Sequence, residues 1–203
     1  MIDDLEQIHE ELRKKDEARE SSIRKLRQVI RLCGDGIRSM HRGDGAKARE
    51  CASSAKVLID QVSEELSDHP ELLFSKSVEA ALAEYTELIA TIELIERKRL
   101  PSMGEIDVPA AAYLNGIGDS IGEIRRHILD LLRDGRVRQA EEYLEIAEFI
   151  LDELMTFDYP KALLGDLRRK QDVARNLIEK TRGDVTNAVL ERDLAERLDR
   201  LGG

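Results

Sequence analysis

Residues 109–133 read PAAAYLNGIGDSIGEIRRHILDLLR. Ala110, Leu114, Ile117, Ile121, Ile124, Ile128 and Leu131 follow one another at steps of three and four, which puts them on one face of a helix. A strand would alternate apolar and polar residues, and this run does not. Pro109 suits a helix start and Asp134-Gly135 a turn, so the pattern predicts a helix from about Pro109 to Arg133. A helix with one apolar stripe needs other helices to cover it.

The same stepping continues in both directions. Upstream, a helix is expected over about 4–40, with the stripe Ile23, Leu26, Ile30, Cys33, Ile37 and Met40, broken by Gly43-Asp44-Gly45. A second is expected over about 46–66 with Val57, Leu58 and Val62 facing inward, and a third over about 70–99, opened by Pro70 and ended by Pro101, with Val78, Leu82, Tyr85, Ile89 and Ile92 as its stripe. A short connector, 102–108, leads into the quoted run. Downstream, helices are expected over about 136–155, 160–181 and 185–201, the last two parted by a turn at Arg182-Gly183-Asp184. No strand signal, internal repeat or long linker interrupts the series. The expectation is therefore all-α: one domain, 1–203, built as a bundle of about seven helices. With aromatics at 3% and no Trp, the core has to be made of Leu, Ile, Val and Ala. The outer part of the first helix shows only Leu5, Ile8 and Leu12 as a partial stripe, which suits packing on another subunit.

Several classes are excluded. The start of the chain carries no apolar run of signal-peptide type, and no stretch approaches the ~20 apolar residues of a membrane span. Cys33 and Cys51 fit neither a zinc spacing nor a disulfide framework, and Cys33 on an apolar stripe reads as a buried thiol. The expected location is the cytoplasm, with no membrane partner. Gly116 to Gly122 could be mistaken for a phosphate loop, but no strand precedes it and it lies inside a helical period. Glu6-Gln7-Ile8-His9 is an isolated E-x-x-H; a di-iron bundle needs two.

The net charge of −10 speaks against a polyanion partner, but the charge is unevenly spread. Residues 13–56 hold 13 Lys/Arg against 6 Asp/Glu, and the remainder holds 19 against 36. Arg24, Arg27, Arg31, Arg38 and Arg42 form a stripe interrupted by Asp35; Lys47, Arg49 and Lys56 follow, the last two on one face. Such stripes can hold a sugar–phosphate backbone without reading bases, and can equally be a solvated, ion-paired helix face. Scarce aromatics argue against base-specific recognition.

Acidic residues supply a second constellation. Glu84 falls within an otherwise apolar arc, with Glu87 one turn on; Asp119 and Glu123 share a face of the 109–133 helix beside Gly116, Gly118 and Gly122. A helix interior accepts such glycines, at roughly 1 kcal/mol each, where a backbone or ligand comes close. Were the two helices packed together, the four carboxylates would converge and repel one another unless a cation neutralised them. An all-oxygen set without His or Cys favours Mg²⁺, Mn²⁺ or Ca²⁺ over zinc. The alternative is an exposed acidic face that contributes only solubility. His127, one turn past Glu123, could assist the carboxylates or be structural; His41 reads as a helix-end histidine.

These residues resemble those of the translin family. Arg27 and Met40-His41-Arg42 are similar to the first helix of translin-associated factor X, and Lys47-Ala48-Arg49-Glu50 with Lys56 to a basic stretch of translin. Ala83-Glu84-Tyr85-Thr86-Glu87 and Ser102-Met103-Gly104-Glu105-Ile106 resemble the middle of translin-associated factor X. Tyr113-Leu114-Asn115-Gly116-Ile117, Asp119 and Gly122-Glu123-Ile124 match the family's strongest signature, and Leu167-Arg168-Arg169-Lys170 its C-terminal part. Residues 130–154 match only loosely, and Ala112 stands where the family usually has an acidic residue. The resemblance implies a seven-helix fold assembled into a hollow shell, usually an octamer, around single-stranded RNA or DNA. It implies Glu84, Glu87, Asp119 and Glu123 as the carboxylates of a Mg²⁺- or Mn²⁺-dependent endoribonuclease. The charge balance of 13–56 and the spacing of the basic stripes make Arg27, Arg31, Arg42, Lys47, Arg49 and Lys56 the expected nucleic-acid contacts. Two further readings remain open: a non-catalytic nucleic-acid-binding oligomer and a helical scaffold.

Overall fold

A computed structural model describes residues 2–202, with side chains from Asp4 to Leu201. Among the described residues all regular structure is helical: α1 (Ile2–His41), α2 (Gly45–Glu65), α3 (Pro70–Leu73), α4 (Lys76–Arg97), α5 (Met103–Ile106), α6 (Ala110–Arg133), α7 (Val137–Met155), α8 (Lys161–Leu164) and α9 (Leu167–Gly202). Six are long, and α3, α5 and α8 are single turns. The chain divides into two compact units, Met1–Ile89 and Ala90–Gly203, with the boundary inside α4.

In the first unit α1 and α2 form a hairpin. Gly43, at φ +81°, makes the reversal, and Asp44 caps α2 by accepting from the Lys47 backbone N–H at 2.9 Å. α1 buries Ser22, Leu26, Val29, Cys33, Ile37 and Met40, whereas Ile30, expected inside, is 39% exposed. Val29 and Ile30 are both apolar, so the pattern alone leaves the stripe's phase open by one residue. α2 buries Ala48, Cys51, Ala52, Ala55, Ile59 and Val62, and turns Val57 outward. The small residues matter more here than the large ones. A Cβ on Gly36 would stand 3.2 Å from the Cys51 Cβ and 2.8 Å from the Leu88 Cδ1, so α1 needs glycine at that crossing. The helix expected over 70–99 is broken at Phe74-Ser75, because Ser75 opens α4 and its carbonyl accepts from the Glu79 N–H at 3.0 Å.

Lys25 clasps Glu65 across the hairpin at 2.6 Å, and the Ser22 hydroxyl donates to the same carboxylate at 3.4 Å. Burial pushes the Glu65 carboxyl up, but the hydrogen bonds from Lys25 and two serines outweigh it and hold the group below its ordinary range. A carboxyl lowered on folding stabilises above its unfolded pKa and loses that contribution as pH falls through the folded one. Glu65→Gln should therefore cost about 1 kcal/mol at pH 7, with the difference from wild type closing below pH ~4. Urea melts at pH 7 and pH 3 check it, and an equal gap at both values would refute it.

In the second unit α6 packs on α7 and α9, and α7 on α9. The stripe Leu114, Ile117, Ile121, Ile124, Ile128 and Leu131 is buried as expected, while Ala110 is exposed. It meets Tyr143, Leu144, Ala147, Ile150, Leu151 and Leu154 of α7 and Ala174, Ile178 and Val185 of α9. The connector contains α5, closed by a capping box between Ser102 and Glu105. The helix expected over 160–181 is instead α8 followed by a glycine turn, with Gly165 at φ +59° and ψ −125°. No turn forms at Arg182-Gly183-Asp184, and α9 runs straight through. Thr181 and Val185 are buried on either side of Gly183, and the Arg125 guanidinium of α6 donates to Thr181 Oγ1 at 2.7 Å and Asp184 Oδ2 at 2.9 Å. This anchoring outweighs the ~1 kcal/mol that one helical glycine costs. Beyond Val185, Leu190, Leu194 and Leu198 form an exposed row. No described helix is long and apolar enough to cross a membrane.

Candidate functional site

The basic stripe lies on the side of α1 opposite its buried face. At ~100° per residue, Arg24, Arg27, Arg31 and Arg38 fall within a sector of about 60°, and Arg42 follows in the turn after α1. Arg38 is paired with Asp35, and Arg24 lies 3.9 Å from Glu20. Arg27, Arg31 and Arg42 are exposed and make no ion pair among the described residues. On α2, Lys47 is held by Glu50 at 2.9 Å and Lys56 by Asp60 at 2.7 Å, while Arg49 is exposed. Of the expected contacts, then, Arg27, Arg31 and Arg42 have guanidinium groups uncommitted to a carboxylate, and Lys47 and Lys56 would have to exchange partners to bind a phosphate.

Glu84 and Glu87 stand half-buried one turn apart on α4. Their charge reaches Cys33 of α1: burial first, then Glu84 and Glu87, push that thiol far above its ordinary range. Asp119 and Glu123 are half-buried on one face of α6. Gly118 accommodates α9, whereas a side chain on Gly122 would make only ordinary contact with it. A Cβ on Gly118 would lie 3.2 Å from the Lys170 Cβ, and one on Gly122 would lie 3.8 Å from the Leu177 Cδ1. Lys170, which sequence reasoning did not single out, donates its ammonium to Asp119 Oδ2. Its side chain is 15% exposed and that of Asp119 32%. Arg126 stands 4.0 Å from Glu123, and His127 meets the Tyr143 ring edge-on with centroids 4.6 Å apart. His41 closes α1 half-buried, and Glu6 and His9 are exposed.

An oxygen-only donor set is of the kind that holds Mg²⁺ or Mn²⁺. Among the described residues, however, no three His, Cys, Asp or Glu side chains gather closely enough to hold a metal ion. Asp119 is neutralised from within the chain. The carboxylates thus come as two half-buried pairs, one on α4 and one on α6.

No family model matches the sequence. A protein of Methanocaldococcus jannaschii without an assigned function is 30% identical over 206 residues, covering 98% of this chain and 89% of its own. Among solved structures, AfC3PO in complex with duplex RNA is 32% identical with a TM-score of 0.86, covering 93% of this chain and 97% of that one. AfC3PO by itself gives 32% and 0.84, and apo-NeC3PO 28% and 0.83, each covering 93% of this chain and 98% of its own. With an all-helical fold, the translin-like signature on α6 and agreement over nearly the whole length of these structures, the chain belongs to the translin family.

Proposed function

We propose that this protein binds RNA as a homo-oligomer and cleaves single-stranded RNA in a Mg²⁺- or Mn²⁺-dependent endoribonuclease reaction. The observation that carries RNA binding is the near-complete structural match to a protein solved with duplex RNA. The row of uncommitted guanidinium groups at Arg27, Arg31 and Arg42 supports it. For cleavage, Glu84, Glu87, Asp119 and Glu123 are the candidates, each acidic where the family's nuclease subunits are acidic. The bound metal would supply an activated water and shield the phosphate charge in the transition state. These carboxylates are the oxygen donors that this reading assigns to the cation. The arginines of α1 would fix the phosphate backbone without reading sequence. The test is cleavage of a labelled single strand with Mg²⁺, with Mn²⁺ and with EDTA, beside a duplex of the same sequence. No EDTA-sensitive cleavage of either RNA would remove the enzymatic reading.

A second reading is a non-catalytic RNA- or DNA-binding oligomer. It is favoured by the commitment of Asp119 to Lys170 and by the lack of a three-ligand cluster among the described residues. A scaffold without any nucleic-acid role would show no gel shift with single-stranded RNA.

Assembly into a hollow shell, an octamer by family resemblance, is part of the proposal. Exposed apolar rows support it at both chain ends: Leu5, Ile8 and Leu12 on α1, and Leu190, Leu194 and Leu198 on α9. Light scattering at micromolar concentration should return a particle larger than a dimer of the 23.0 kDa chain. A monomer there would refute the shell.

A further inference from the structure

We propose that the cleft between the α7–α8 loop and the start of α9 holds an unpaired nucleotide of a single RNA strand, and that the strand leaves it along the exposed face of α9. The proposal rests on the RNA-binding reading above and adds to it a contact surface in the second unit. The cleft has a volume of about 650 Å³, within the ~300–1,000 Å³ of ordinary ligand sites. Phe157 and Tyr159 line it with rings that are 36% and 61% exposed. The chain has three Phe, four Tyr and no Trp, so two rings at one cleft is a concentration. Tyr85 and Tyr143, by contrast, are buried in the core, and Tyr113 donates its hydroxyl to the Pro101 carbonyl at 2.8 Å. Exposed rings offer a stacking surface to any base, whatever the sequence.

Arg168 and Arg169 line the same cleft, both exposed and neither ion-paired among the described residues. Of the lining carboxylates, Asp166 is held by Lys161 at 2.6 Å and Asp172 stands 3.9 Å from Arg175, which leaves Asp158 against two uncommitted guanidinium groups. The balance favours an anion beside the rings, as a base with its phosphate provides. The cleft is also set in advance: the Gln171 amide donates to the Leu154 and Phe157 carbonyls at 2.7 and 3.2 Å, and the Asn115 amide to the Leu164 carbonyl at 2.8 Å. Little ordering is then left for a ligand to impose. From Arg169, α9 presents Asn176, Lys180 and Asn187 within a sector of about 40°, all four exposed. No Asp or Glu between 169 and 187 falls in that sector, and the flanking Asp172 and Asp184 each lie beside an arginine. At ~1.5 Å per residue this acid-free face is about 27 Å long, in a chain of net charge −10. A face of that length suits a strand of several nucleotides, not a free mononucleotide.

The experiment measures RNA binding by the full-length protein and its variants by fluorescence anisotropy across a salt series, with a labelled single strand and with a blunt-ended duplex of the same sequence. Phe157→Leu/Tyr159→Leu should bind the single strand about tenfold more weakly with an unchanged salt slope, because stacking is lost and no phosphate contact is. Its affinity for the blunt duplex, whose bases stay stacked on one another, should hold. Phe157→Tyr/Tyr159→Phe keeps both rings and should bind like wild type. Arg169→Gln/Lys180→Gln should flatten the single-strand slope by about 1.4, at ~0.7 per phosphate contact. Should the leucine double variant fail to fold, Tyr159→Leu alone makes the comparison. Wild-type affinity of the leucine variant for the single strand would overturn the stacking site and leave RNA binding elsewhere on the protein standing. Equal losses on single strand and duplex would overturn it as well, since stacking on an unpaired base cannot produce them. Displacement of the strand by micromolar adenosine monophosphate would overturn the strand in favour of a free nucleotide. Binding of neither RNA by wild type would overturn this proposal together with the RNA-binding reading.

Discussion

Glu123→Ala is expected to keep its helical fold while losing metal-dependent cleavage of single-stranded RNA by about a hundredfold or more. A metal ligand or water-orienting carboxylate contributes several kcal/mol to the transition state, and each 1.36 kcal/mol is about a factor of ten. Glu123 is half-buried on the outer side of α6, away from the stripe of Ile117, Ile121, Ile124 and Ile128, so truncation leaves the core in place. The companion variant Asp119→Asn should lose activity as well, but its stability should move differently. Like-charge repulsion taken alone would make neutralisation harmless or stabilising. The ion pair with Lys170 sets the opposite sign, because Asp119→Asn leaves a mostly buried ammonium without its counter-charge. A loss of about 1–3 kcal/mol in the metal-free protein is expected. Cleavage assays with Mg²⁺ and EDTA, run beside thermal melts, check both statements. Full activity in Glu123→Ala would sink the assignment of that carboxylate.

The second large effect concerns α1. Reversing two charges in Arg27→Glu/Arg31→Glu should weaken binding to single-stranded RNA by more than tenfold near ~0.1 M salt. The slope of log affinity against log salt should flatten by about 1.4, since each phosphate contact on a single strand contributes ~0.7. These two positions are chosen because neither is held by a carboxylate among the described residues, so their loss breaks no intramolecular pair. Lys47→Glu, by contrast, would also disturb the pair with Glu50, and its effect would mix two causes. Filter binding across a salt series measures affinity and slope together. A double variant with unchanged affinity and slope would remove α1 from the RNA-binding surface.

Much of this architecture could be read from residue spacing, and the failures have physical causes. The α6 stripe was legible because its apolar residues are separated by polar ones at nearly every step, so only one phase fits. On α1, Val29 beside Ile30 allowed two phases, and contact with small residues of α2 selects the one that buries Val29. Gly183 looked like a turn, since nothing local reveals that Arg125 of α6 braces Thr181 and Asp184 on both sides of it. The acidic pairs were legible as pairs because each lies within a single helix. Their electrostatic partners were not. Lys170 reaches Asp119 only through the packing of α9 on α6, and the run of Arg168, Arg169 and Lys170 gives no sign of which cation turns inward. The basic stripe was legible as a stripe, but the division into committed and uncommitted cations depended on rotamers.

The α1–α2 hairpin carries both cysteines of the chain, Cys33 and Cys51, each buried and each with its thiol pushed up, chiefly by burial. Thiolate is the reactive form, so in the native protein neither sulfur offers much nucleophile at neutral pH. Alkylating reagents and oxidants have to wait until α1 and α2 part. Sulfur modification in this molecule is therefore a clock of hairpin opening, reporting how often the two helices separate and not how accessible a side chain is in the closed form.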